Sequence, residues 1–293
     1  MILSALAALS LIRNLENLNE IAPPVVQAGP VGKEIGAVKE LQSRVADIMW
    51  NEHAKGASTM LRWLRAKKMD VNGAEKMIRD HIEWRKKYNI DKLRHTAPDP
   101  KLYKSLWYNM TGFARNQNPV MLLPFGSWDI RGYMDAGGNR EEFDRHQGQM
   151  WEKALAAVEG VELKMKGPRK DNSPVTYIML CDMGGLQYRQ LANFNSLQFV
   201  LSMVFNFENN YPEVIYYAYL INSDWVVDTL VRIIRPFMTG SIDKLKVYGD
   251  RSKWEKVIRK QIDPAIIPYR YGGYTEKERQ KMKLPPLPSC KFC

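Results

Sequence analysis

The chain has 293 residues, 45% hydrophobic and 26% charged, which excludes a disordered or fibrous polymer and leaves room for one or two cored domains. Its 43 Lys and Arg exceed its 32 Asp and Glu by 11, so an anionic partner is expected: nucleic acid, an acidic membrane face or a phosphorylated ligand. Three cysteines, Cys181, Cys290 and Cys293, are too few for a disulfide framework and point to a reducing, cytoplasmic setting.

In chain order, Met1–Ile12 is apolar but has no basic start, and Asn14, Glu16 and Glu20 follow it. Residues 1–32 therefore read as an extension and a Pro/Gly-rich linker (23–32) rather than a signal peptide. Ile35, Val38, Leu41 and Val45 then recur at helical spacing. A second helix is predicted near 59–68, with Leu61 and Leu64 among Arg62, Arg65, Lys67 and Lys68. Asp70 is placed to cap a third, whose stripe is Ala74, Met77, Ile78, His81, Ile82 and Trp84 and which ends near Tyr88-Asn89. Residues 33–95 are thus expected to form a small, basic helical domain.

Beyond residue 96 the texture changes. Pro119–Phe125, Val175–Cys181, Val214–Ile221 and Leu245–Tyr248 are short, nearly continuous apolar runs flanked by turn residues, and they read as buried strands. Helices are predicted between and after them, at 141–166, 191–209, 224–238 and 252–262. Such alternation argues for an α/β domain over 96–275 with a helix-covered, mainly parallel sheet. Residues 276–293 read as a basic, Pro-rich tail without packed structure. The ending Cys290-Lys291-Phe292-Cys293 has the outline of a prenylation box, but Lys291 is not aliphatic. No apolar run reaches the length of a membrane-spanning helix.

Catalytic motifs are missing: there is no P-loop, no Gly-x-Gly-x-x-Gly, no Gly-x-Ser-x-Gly and no His-Glu-x-x-His. The four histidines lie at no metal-ligand spacing. Neither catalytic nor metal residues are assigned, and the chain is not expected to be an enzyme. His81 reads as a packed core residue. Cys181 reads as core filler. Asp182-Met183-Gly184-Gly185 follows a strand, where α/β proteins often place site residues, and reads equally as a turn whose glycines permit positive φ.

Several segments, in their order, resemble the CRAL-TRIO lipid-binding family. Leu61-Arg62-Trp63-Leu64-Arg65-Ala66-Lys67-Lys68-Met69-Asp70 is similar to the family's Leu-Arg-(Phe/Trp)-Leu-Arg-Ala-Arg opening. Asp182-Met183-Gly184-Gly185-Leu186, Glu208-Asn209-Asn210-Tyr211-Pro212-Glu213 and Arg235-Pro236-Phe237-Met238 continue the likeness. Lys244-Leu245-Lys246-Val247-Tyr248-Gly249 and Ile267-Pro268-Tyr269-Arg270-Tyr271-Gly272-Gly273 close it. The set leans toward the phosphatidylinositol-transfer and supernatant-protein-factor branch.

This resemblance implies an apolar pocket beside the sheet, closed by a mobile gate helix at 224–238. The pocket and gate residues would be Tyr177, Met179, Trp225, Val227, Leu230, Val231, Ile234 and Phe237. The bland alternative for that helix is a wholly buried core element. The family's headgroup signature falls on Lys67, Glu213, Ser241 and Lys244. Lys67 stands where the family has Arg and Ser241 where it has Thr, so bidentate phosphate geometry does not carry over. Lys67 and Lys244 would meet the phosphate, Ser241 would donate to an inositol or phosphate oxygen, and Glu213 would pair with Lys244 or an inositol hydroxyl. Tyr177 and Met179 stand where some members use hydroxyls for phosphatidylcholine, which leaves room for an isoprenoid as a second ligand.

The function implied is binding of phosphatidylinositol or another hydrophobic lipid and its transfer or presentation between membranes. The protein would be cytoplasmic and would touch anionic membrane surfaces peripherally. No cofactor is expected besides the bound lipid. A lipid-dependent sensor that moves no lipid is a second reading. A nucleic-acid-binding protein ranks below both, because the basic residues are interspersed with acids and no aromatic-basic module is present.

Overall fold

A computed structural model describes residues 29–287 apart from 50, 166–168, 170–172 and 239. The apolar start and the C-terminal Cys290 and Cys293 lie outside the described residues. The helical part contains α1 (Glu34–Arg44), the single turn α2 (Glu52–Lys55), α3 (Ala57–Ala66), α4 (Val71–Tyr88), α5 (Ile90–His95) and α6 (Pro100–Ser105). Val38, Leu41, Met60, Leu64 and Ile78 form its own core. The Asp70 side chain caps α4 as expected, accepting from Asn72 N–H. The left-handed Asn89 ends that helix and passes straight into α5.

The second part follows as β1 (Asn109–Phe113), β2 (Pro119–Leu123), α7 (Ile130–Asp135), α8 (Arg140–Lys164), β3 (Tyr177–Asp182), α9 (Tyr188–Leu191) and α10 (Phe194–Asn210). It continues through β4 (Ile215–Ile221), α11 (Trp225–Ile234), β5 (Leu245–Val247) and α12 (Arg251–Gln261). The strands form one sheet in the order β1-β2-β3-β4-β5. β1 pairs antiparallel, while β2 to β5 are parallel. The fold class is therefore the expected one, an α/β domain behind a helical N-terminal part.

The strand period of two sorts the side chains into two cores. Met121, Leu123, Tyr177, Cys181, Ala218 and Leu220 face α8, α10 and α11. Ile178, Leu180, Tyr219 and Ile221 face the opposite side, against Trp254 and Ile258 of α12. The parallel strands are buried on both faces, which is why they read as continuous apolar runs rather than alternating ones.

Part of the expected loose tail is packed. Residues Glu276–Lys281 form α13, opened by a Thr275–Glu278 capping box. The Arg279 guanidinium is buried and donates to the carbonyls of Ala265 (2.7 Å) and Pro285. Lys and Pro content hid the anchor because a buried arginine reads in sequence as one more solvated charge.

Charged pairs join the two parts across α8. Arg85 donates to Glu152 at 2.7 Å, and both side chains are buried. Arg94 reaches Glu152 at 3.2 Å and also pairs with Glu159. Arg62 donates to Glu162 (3.2 Å) and to the Val175 carbonyl (2.9 Å).

Candidate functional site: two adjoining cavities beside the sheet

The first cavity, about 120 Å³, lies between the sheet and helices α10 and α11. Met179, Cys181, Ala218 and Leu220 form its floor, Met203 and Val204 come from α10, and Leu230 and Ile234 from α11. Its wall is almost wholly apolar, because α11 turns one greasy face inward. Burial pushes the Cys181 thiol up to about 12, so it is inert filler, as the sequence suggested.

α11 has two faces. Val227, Val231, Leu230 and Ile234 are buried, whereas Trp225 is 63% exposed and packs against Tyr188 of α9 with its ring tilted by 34° and the centroids 5.4 Å apart. Asp224 caps the helix by accepting from Val226 N–H at 2.9 Å. Of the eight pocket and gate candidates, Met179, Leu230 and Ile234 line the cavity. Tyr177, Val227 and Val231 are buried in the adjoining core rather than on the cavity wall. Trp225 and the 45%-exposed Phe237 stand on the outer surface. Burial also holds the Tyr177 phenol well above its ordinary value, and its hydroxyl has no hydrogen-bond partner among the described residues.

The second cavity adjoins the first, sharing Phe207, Glu208, Ile215 and Ser241 in its wall. It brings together all four headgroup candidates: Lys67, Glu213, Ser241 and Lys244. Lys67 is the C-cap of α3, where the chain reverses through Lys68 (φ 52°) and Met69 (φ 68°). Glu213, just before β4, also has a left-handed φ of 57°. Side chains with a Cβ resist this region at ~1–2 kcal/mol per residue, so Glu213 in the cavity wall, and Lys68 and Met69 in the turn after Lys67, are held there by the surrounding fold.

Lys244 Nζ donates to Glu213 Oε2 at 2.6 Å, one of the two partners named for Glu213, the other being an inositol hydroxyl. Ser241 Oγ donates to Glu208, and Gly240 N–H donates to the same carboxylate at 2.9 Å. The expected set contained no Glu208. It stands at the head of a quoted motif, but its partners are 32 and 33 residues away and only the fold reveals them. Lys67 has no ion-pair partner among the described residues.

A larger space of about 570 Å³ opens elsewhere, beside α6, α7 and the start of α8. Its wall includes Asp99, Asp129, Arg145 and His146 and none of the predicted site residues. Among the described residues no three His, Cys, Asp or Glu side chains are grouped to hold a metal ion. No helix among them is long and apolar enough to cross a membrane.

The CRAL/TRIO domain model matches residues 104–273, more than half of the chain and the whole region that carries the sheet and α11. The chain belongs to the CRAL/TRIO domain family. The chain is 26% identical to a CRAL-TRIO domain-containing protein of Caenorhabditis elegans over 85% of its own length and 35% of the relative's. It is 25% identical to Patellin-6 of Arabidopsis thaliana over 85% of the chain and 60% of Patellin-6. It therefore spans less than two thirds of either relative. With the SEC14 cytosolic factor of Candida glabrata it shares 26% identity over 82% of the chain and 78% of that protein. The crystal structure of Sfh5 superposes with a TM-score of 0.59 over 83% of this chain and 88% of that one; at 18% identity this is a likeness of fold.

Proposed function

We propose that this CRAL/TRIO protein binds a phosphate-bearing lipid, phosphatidylinositol foremost, and carries or presents it between membranes. The acyl chains lie in the apolar cavity beneath α11, and the headgroup lies at Lys67, Glu213, Ser241 and Lys244. One observation carries this reading: a cavity of almost purely apolar wall continues into one lined by two lysines. An amphiphile needs that juxtaposition, and a purely apolar or purely ionic ligand does not.

The energetics fit a carrier. Moving a two-chain lipid into water exposes roughly 30 methylenes at ~0.8 kcal/mol each, on the order of 20 kcal/mol. A carrier lowers that barrier by offering apolar surface before the chains leave the bilayer. The apolar cavity of about 120 Å³ is smaller than the roughly 300–1,000 Å³ of ordinary ligand sites, so loading requires α11 to swing outward. At a bilayer its buried face would meet acyl chains rather than water. Neither the gate motion nor the transfer requires covalent chemistry.

The test is mass spectrometry of lipid that co-purifies with the protein, followed by uptake from vesicles containing phosphatidylinositol. Lys244→Ala is expected to lower phosphatidylinositol uptake by about tenfold or more, since a charge-assisted hydrogen bond contributes ~1.5–3 kcal/mol, while sparing a wholly apolar ligand such as an isoprenoid. Protein that purifies empty and takes up nothing from such vesicles would refute the reading. Equal loss of both ligands in Lys244→Ala would show damage to the fold instead.

A further inference from the structure

We infer that Glu208 selects the headgroup, by competing with the lipid phosphate for the donors that would hold it. The inference rests on the lipid-binding reading above. Glu208 is half-buried in the last turn of α10 and belongs to the walls of both cavities. Its carboxylate accepts the Gly240 N–H at 2.9 Å and the Ser241 hydroxyl. A backbone N–H, a hydroxyl and the nearby Lys244 ammonium are a donor set suited to a phosphate oxygen. Here each of these three donors is held by a carboxylate, the first two by Glu208 and the third by Glu213.

Both acids converge on Gly240. A Cβ there would lie 3.4 Å from Glu213 Oε1 and 3.7 Å from Glu208 Oε2. Two lysines and two glutamates therefore line the cavity, and their formal charges cancel. A phosphate that enters must displace a carboxylate from its donors. The displaced carboxylate then gives up two hydrogen bonds, a loss that is costly for a half-buried anion unless new donors replace them. A bare phosphate headgroup has no hydroxyls to offer. A polyol headgroup brings them: its phosphate takes the Gly240 and Ser241 donors, and its hydroxyls donate to Glu208. On this logic Glu208 disfavours phosphatidic acid relative to phosphatidylinositol.

The experiment measures uptake of phosphatidic acid and of phosphatidylinositol from matched vesicles by the full chain. Glu208→Gln keeps shape and an acceptor but removes the charge. It is expected to raise the phosphatidic acid to phosphatidylinositol ratio about tenfold, the difference between a charged and a neutral hydrogen bond. The control is Asp243→Asn, the same charge change at an exposed position on the adjacent turn, which is expected to leave the ratio unchanged.

An unmoved ratio in Glu208→Gln overturns the inference, and so does an equal rise in Asp243→Asn, which would make the effect a general field. Should Glu208→Gln not fold, Ser241→Ala decides. Deleting the contested donor must weaken phosphatidic acid uptake, and no change refutes the proposal. Wild-type protein that takes up neither lipid refutes the lipid-binding reading itself. Uptake of phosphatidylinositol with no response to Glu208 refutes only the selection.

Discussion

His81 shows how far one residue can be read from its neighbours in sequence. Its place on the apolar stripe of α4 marked it as core, and it is buried, packed 5.1 Å from Trp63 and edge-on to Tyr211. Its Nδ1 lies 2.9 Å from Asn210 Oδ1, a contact that requires the ring to donate. Burial, with the Arg85 charge adding to it, pushes His81 down to about 3. An unfolded histidine titrates near 6.5. As pH falls from about 6.5 toward 3, the unfolded chain takes up a proton that the folded one refuses. Stability should therefore drop through that window, by up to roughly 1.4 kcal/mol per pH unit from this group. His81→Asn is expected to flatten the slope of unfolding free energy against pH between 6 and 4, read by urea melts. A slope as steep as wild type would assign the acid sensitivity to other groups. The four residues that meet at the second cavity were legible in a different way. Spacing alone could not join Lys67 to positions 213–244, and motif likeness named all four. Glu208 escaped because its role lies in contacts with Gly240 and Ser241 that no local pattern encodes.

At the scale of elements, the four parallel strands were visible because burial on both faces leaves long apolar runs with turn residues at their ends. β1 was not visible. Residues Asn109–Phe113 have no buried member, include the edge-exposed Phe113, and carry a register shift between Met110 and Gly112. The helix after β4 was read as running to residue 238, but α11 ends at Ile234 and Arg235–Phe237 form a 3₁₀ turn. Pro236 explains the change, since it has no N–H to continue the ladder. What α11 covers can be tested by filling it. Met179 projects from the middle of β3 into the apolar cavity, and Met179→Trp would occupy space that acyl chains need. Overpacking of this kind costs about 1–3 kcal/mol, which a folded domain tolerates. The expected result is a severalfold loss of phosphatidylinositol uptake with a cooperative melt at somewhat lower temperature. Undiminished uptake by a folded Met179→Trp protein would place the acyl chains elsewhere.

The charge excess belongs to the whole molecule, and composition overstates what is free to act at a surface. Arg62, Arg85 and Arg94 all come from the strongly basic helical part, yet they are spent on Glu162, Glu152 and Glu159 in the seam with α8. Sequence shows eleven excess positive charges but not which of them are buried in ion pairs. The exterior also carries large aromatic side chains. Trp225 and Phe194, on the two helices that flank the apolar cavity, are 63% and 71% exposed. Two attractions toward a bilayer follow, with different salt responses. Coulomb attraction to anionic headgroups fades as the screening length falls from ~10 Å at 0.1 M to ~3 Å at 1 M salt. Partition of aromatic rings into the interface does not depend on that length. Binding to vesicles rich in anionic lipid should accordingly fall severalfold between those salt concentrations, toward the level seen on neutral vesicles, which itself should hardly change. Trp225→Ala should lower both levels alike. Binding to anionic vesicles that ignores salt would show that the excess charge does not draw the protein to membranes, and the aromatic rim alone would then have to account for docking.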